Sequence, residues 1–237
     1  FIIAVTSGNK SILFTENEQT SLRSFAFNGG AAATKYTFGA GVNVVKDWSF
    51  THHKNVMFVS DYDSGVGGVR GTTGGQKCYV STDNGYTFTK CFDFTGSDWS
   101  NITNAANITA FGASQAHIHS VTYDPKQGVT WIITGDGAVS YDNSSLFWSR
   151  DLGQTWTHKR STIADDGART QHVIGLPFDG CMTFGSDASN LNGVAAITYD
   201  GDAMLQERIK NYASKSDLLC FARSVWARGS SKVKYMS

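Results

Sequence analysis

Ser81-Thr82-Asp83-Asn84-Gly85-Tyr86-Thr87-Phe88 and Ser149-Arg150-Asp151-Leu152-Gly153-Gln154-Thr155-Trp156 follow one pattern, Ser-x-Asp-x-Gly-x-Thr-aromatic. Each copy follows an apolar run, Cys78-Tyr79-Val80 before the first and Leu146-Phe147-Trp148 before the second, and each leads into a polar alternating stretch. That arrangement predicts a β-hairpin with the octet at its turn. The glycine supplies a positive φ that other residues adopt only under strain. The aspartate can accept hydrogen bonds from turn N–H groups, and the aromatic is expected to fill the space between neighbouring strands. A fixed pattern repeated along a chain marks an array of like units, so it takes precedence over any single element.

Two looser copies extend the series. Thr15-Glu16-Asn17-Glu18-Gln19-Thr20-Ser21-Leu22 keeps the hydroxyl, an Asx residue and the apolar end without the glycine. Thr198-Tyr199-Asp200-Gly201-Asp202-Ala203-Met204-Leu205 carries its glycine one position early. These residues resemble the Asp-box, or BNR-repeat, family, which includes sialidases, sortilin-type receptors, some glucanases and propeller domains of phage tail proteins. The resemblance implies an all-β fold, a β-propeller of four-stranded blades, five-bladed and incomplete in this chain. It also implies that the box sits between the third and fourth strands of each blade. Ser81, Asp83, Gly85, Phe88, Ser149, Asp151, Gly153 and Trp156 are then structural and do not reveal function.

Strand patterning sets the blades out as one domain over residues 1–237. The clearest blade covers 117–160: His117-Ile118-His119-Ser120-Val121-Thr122-Tyr123 alternates, Asp124-Pro125-Lys126-Gln127-Gly128 turns, and Val129-Thr130-Trp131-Ile132-Ile133-Thr134 returns. Residues 47–94 and 170–210 are expected to form the flanking blades. Residues 1–28 and 218–237 are expected to form partial ones. Thr95 to Ala116 reads as a long polar connection, of a length more often functional than structural.

Propeller geometry directs attention to one end of the blades. The first strand of each blade lines the axis, and alternating strand direction puts its start beside the end of the second strand. Second strands end at Ser60-Asp61, Gly135-Asp136 and Ser186-Asp187, while His117 and His172 begin equivalent first strands. The expected ligand-binding ring is therefore His117, His119, His172, Asp136 and Asp187, with Gln171 and Asp61 nearby and the boxes on the opposite face. His119 is placed with His117 by strand alternation. Three roles stay open: a hydrogen-bonded structural ring, a divalent metal site using His117, His119, His172 and Asp136, or ligand binding and acid–base work. His52-His53 is expected at the far end, on the surface. Trp99, in the long connection, is the candidate exposed aromatic for stacking a sugar ring.

Enzyme signatures are sparse. Pro125 and Pro177 are the only prolines, and neither completes the Arg-x-Pro signature that sialidases carry; the arginines lack the spacing of a carboxylate-binding triad. Glutamate occurs only at 16, 18 and 207, which disfavours a retaining glycosidase. The preferred reading is a glycan-binding platform, similar in size and layout to the propeller of receptor-binding proteins on phage tails. That resemblance implies a cell-surface polysaccharide as partner, a homo-oligomer such as a trimer, and a place on the virion tail or outside the cell. The alternative is a sialidase-like or other sugar-active hydrolase or lyase using the His/Asp ring. A sortilin-like receptor is disfavoured because the cysteines form no secreted-domain framework.

Composition bounds the rest. Lys+Arg and Asp+Glu balance at 20 each, so nothing asks for nucleic acid. No apolar stretch is long enough to span a bilayer. Hydrophobic residues at 41% support a substantial core, and 25 glycines suit many tight turns. Cys78, Cys91, Cys181 and Cys220 lack the paired spacing of a zinc site. The octet brackets its turn so that Cys78 and Cys91 are expected to face each other across two strands, close enough for a disulfide. Beginning at Phe1 and closing on a strand-like Lys234-Tyr235-Met236-Ser237, the chain reads as a piece of a longer polypeptide.

Overall fold

The computed structural model describes residues 2–6, 11–14, 21–26, 31–38, 50–61, 77–93, 101–103, 117–135, 145–160, 172–178, 181–186, 193–200 and 203–211. These residues are all-β. Four antiparallel meander sheets follow one another along the chain. The first contains β1 (Ile2–Thr6), β2 (Ser11–Phe14), β3 (Ser21–Ala26) and β4 (Ala33–Thr37). The second contains β5 (Phe50–His53), β6 (Val56–Ser60), β7 (Lys77–Ser81) and β8 (Thr89–Asp93). After the two-residue β9 (Ile102–Thr103) come β10 (His117–Asp124), β11 (Val129–Gly135), β12 (Ser145–Ser149) and β13 (Trp156–Arg160) of the third. The fourth holds β14 (His172–Phe178), β15 (Cys181–Ser186), β16 (Gly193–Asp200) and β17 (Ala203–Asn211).

The first strands β5, β10 and β14 lie side by side. The Tyr123 N–H of β10 reaches Thr51 Oγ1 of β5 at 3.3 Å, and the Thr122 hydroxyl of β10 donates to the Gly175 carbonyl of β14 at 3.0 Å. Sequential four-stranded meanders joined by their first strands make a β-propeller.

The second and third blades pack on both faces, and this explains their apolar runs. β6 and β11 alternate in the direction of burial rather than between buried and exposed. Met57 and Val59 join Leu22 and Phe38 in the core against the first blade, while Phe58 joins Ile118, Val121, Ile132 and Phe147 in the core against the third. Trp131 and Ile133 turn the other way, towards Met182 of the fourth blade. A strand enclosed on both faces reads as a continuous hydrophobic run.

The two complete octets fold alike and sit between third and fourth strands. Asn84 and Gly85 are both left-handed, at φ 63 and 78°, and Leu152 and Gly153 repeat them at 58 and 88°. Each glycine is also a point of close approach. A Cβ on Gly153 would lie 2.8 Å from Cys91 Cβ of the second blade; one on Gly85 would lie 3.2 Å from Leu22 Cδ2 of the first. The box aromatic bridges blades rather than the neighbouring strands of one sheet. Phe88 packs on Tyr36 and Phe38 of the first blade, and Trp156 packs on Phe92 of the second.

Three expectations need correction. The blade expected to be partial over residues 1–28 extends further: among the described residues β1, β2 and β3 join β4 (Ala33–Thr37) in one four-stranded sheet. The looser copy at Thr15–Leu22 falls between the second and third strands, which pair antiparallel, and not between the third and fourth; of it, Ser21 and Leu22 are among the described residues, inside β3. The connection from Thr95 to Ala116 is not purely a loop, since β9 within it pairs in parallel with β13. The copy at Thr198–Leu205 does fall between third and fourth strands, with Asp200 paired to Ala203. The partial blade expected at 218–237 lies outside the described residues.

Candidate functional site

Backbone register builds the end of the blades on which the ring was expected. His117, first in β10, pairs with Gly135, last in β11, and His172, first in β14, pairs with Ser186, last in β15. Asp61 follows β6 at the same end of the second blade. The octet turns occupy the other end: Ser81 pairs with Met57, beside the β5–β6 turn. There the Asn55 side chain donates to the Thr82 carbonyl at 2.6 Å, and the Asn84 N–H reaches the Asn55 carbonyl at 3.0 Å. His52 and His53 share that far end and are half-buried. Burial lowers the pKa of His52; the Lys54 carbonyl, 2.5 Å from its ring nitrogen, opposes this, and His53 and Lys35 add to it.

Asp136, Asp187, Gln171 and Trp99 lie outside the described residues, as do the side chains of His117 and His172. Asp61 and His119 are the two ring candidates whose side chains are described, and both are buried. Asp61 serves its own sheet. Its Oδ1 accepts the Lys77 N–H at 2.6 Å, and its own N–H reaches the Lys77 carbonyl at 3.0 Å, closing the β6–β7 pair. The carboxylate also marks its surroundings: burial first, then the charge of Asp61, pushes the Tyr79 phenol up to about 12.

His119 corrects a premise. The register of β10 against β11 shifts between Ile118 and Ser120, so His119 is the extra residue of a β-bulge. Period-two alternation does not carry across a bulge. Alternation from His117 therefore does not by itself fix the side of the sheet on which His119 lies. β14 has the same irregularity between His172 and Ile174. Bulges gather near functional rims, but a single sequence offers no signal for one. Among the described residues, no group of three or more His, Cys, Asp or Glu side chains could hold a metal ion.

The box end carries structural chemistry. Ser149 Oγ accepts the Gly153 N–H at 2.8 Å and donates to Asp151 at 2.7 Å, and Asp151 accepts the Thr155 N–H and hydroxyl at 2.9 and 2.6 Å. Ser81, Asp83, Gly85 and Thr87 repeat this arrangement. Tyr86, 57% exposed, stands on that turn with Lys35 Nζ 4.0 Å from its ring centroid. Trp131 and Trp156 are enclosed, and the half-buried Trp148 packs on Trp131, so these three serve blade packing.

No family model matches the chain, and no curated protein matches it. Similar solved structures include a GH74 enzyme of Niastella koreensis, at 16% identity and TM-score 0.44 over 88% of this chain and 25% of the other. YCF48 from Cyanidioschyzon merolae matches at 10% identity and TM-score 0.49, over 84% of this chain and 56% of the other. The Hadza microbial sialidase Hz136 matches at 9% identity and TM-score 0.48, over 88% and 46%. The chain thus spans between a quarter and just over half of these proteins. Its likeness to them is one of fold.

Proposed function

We propose that the chain is a glycan-binding propeller platform, five-bladed in its complete form, through which a phage tail protein recognises a receptor on the host surface. The observation that carries this reading is the register at one end of the blades. His117 pairs with the residue before Asp136, His172 with the residue before Asp187, and Asp61 stands at the matching end of the second blade. First strands that lie side by side bring such ends together near the axis, where few polar groups can converge on a ligand. Histidine and carboxylate groups suit the hydroxyls of a cell-surface polysaccharide. A trimer on the virion tail would multiply weak single-site affinity.

Titration of purified bacterial surface polysaccharides into the full chain tests the reading. His117→Ala is expected to weaken affinity tenfold or more, equivalent to about 1.4 kcal/mol, with an unchanged melting temperature. Unchanged affinity with a lowered melting temperature assigns the ring a structural role and overturns the proposal. Release of sugar fragments during the titration assigns a hydrolase or lyase instead.

A further inference from the structure

Cys78 and Cys91 are both free and both buried, at 0 and 8% exposure. β7 and β8 pair Tyr79 with Lys90 and Cys78 with Phe92, so Cys91 is the extra residue of a bulge and shares Cys78 as its opposite number. The bulge turns Cys91 and Phe92 into the same core as Cys78. The Cys91 thiol donates to the Cys78 carbonyl at 3.4 Å. Cys91 Sγ thus lies against the Cys78 backbone on the neighbouring strand, and a disulfide asks for Cα atoms roughly 4.4–6.8 Å apart. Cys91 is also where two blades meet. It fills the space that a Cβ of Gly153 would need, and its carbonyl accepts the Trp156 indole N–H at 2.8 Å.

We propose that Cys78 and Cys91 form a reversible disulfide across the β7–β8 hairpin, a redox-sensitive brace at the joint of the second and third blades. The oxidant is a low-molecular-weight disulfide. One cysteine thiolate attacks it and releases one small thiol; the second attacks the protein sulfur of the mixed disulfide and releases the other. The two protons lost by the cysteines leave on the two small thiols. Burial, and then the adjacent Cys91 thiol, hold the Cys78 thiol well above its ordinary pKa, so exchange is slow until the hairpin opens.

Incubation of the full chain with oxidised glutathione, with and without mild urea, followed by alkylation and peptide mapping, is the test. The expected product links the Cys78 and Cys91 peptides with loss of two hydrogen atoms, forms faster in urea and reverts with dithiothreitol. The oxidised chain is expected to melt higher than the reduced one, a shift absent in Cys91→Ala. Two alkylatable thiols at 78 and 91 after exchange in urea, or a link to Cys181 or Cys220, overturns the proposal. The mapping uses the unaltered chain, so it stands even if the variant fails to fold.

Discussion

Four donors converge on the carboxylate of Asp83: the Ser81 hydroxyl, the N–H groups of Tyr86 and Thr87, and the Thr87 hydroxyl. Burial pushes this carboxyl up, but the donors from Thr87, Ser81 and Tyr86 outweigh it and hold the group at about 2. Asp151 is lowered in the same way. A carboxyl whose folded pKa lies below its unfolded value of about 3.9 stabilises the fold above that value. The contribution falls away as pH drops through about 4 towards 2. Asp151→Ala removes the acceptor for a turn whose Thr155 is exposed, so water replaces part of what is lost. The expected cost is the lower end of about 1–3 kcal/mol, without change in glycan affinity. Thermal melts should show a constant gap between variant and parent above about pH 4 that narrows as the pH falls below it, because the Asp151 carboxyl is held below its ordinary range. A gap independent of pH would show that the carboxylate charge is not what holds the turn.

The octet hairpin is an element that looks outward to the preceding blade. Trp156 donates its indole N–H to the Cys91 carbonyl at 2.8 Å and the Gly153 carbonyl at 3.1 Å, and its backbone N–H to the Asn101 carbonyl at 2.7 Å. Asn101 in turn donates to the Cys91 carbonyl at 3.4 Å, and β9 runs beside β13. Trp156 therefore ties the outer strand of the second blade to the box of the third through its indole, and Asn101 to both through its backbone N–H. Trp156→Phe keeps an aromatic ring on Phe92 and removes the donor. It is expected to destabilise by about 1–3 kcal/mol, since two buried carbonyls lose a partner. Denaturant unfolding should give a lower midpoint with an unchanged slope; an unchanged midpoint would mean that ring packing alone makes the joint.

In the whole molecule, neighbouring blades share cores, and their first strands share hydrogen bonds. Thr122 is the buried hydroxyl that joins the third blade to the fourth through the Gly175 carbonyl. Thr122→Val is close in shape and deletes only that donor. It is expected to lower stability by about 1 kcal/mol through the joint, leaving the register of β10 on β11 intact. Equilibrium unfolding by two probes would check this: coincident curves shifted together mean that blades unfold as a unit. A variant as stable as the parent would show that apolar packing, through Trp131 and Met182, carries the joint by itself.

The octets were legible because their chemistry is local. A serine, an aspartate and a glycine within five positions satisfy one another's hydrogen bonds and set two left-handed residues, so the turn follows from the residues themselves. The paired strands beside them, β10 with β11 and β14 with β15, were legible from apolar runs and turn residues, and with them the pairing of His117 and His172 with second-strand ends. The bulge at His119 was not legible, nor was the one that sets Cys91 beside Phe92, because one added residue leaves composition and spacing unchanged. The partners of Phe88 and Trp156 were also hidden. An aromatic at the end of a hairpin says that it will be buried, but only the neighbouring blade decides what buries it. Local hydrogen bonding and periodicity belong to the sequence; which residue of a distant blade fills the space beside Gly153 belongs to tertiary packing, where contacts far apart in the chain compete for the same volume.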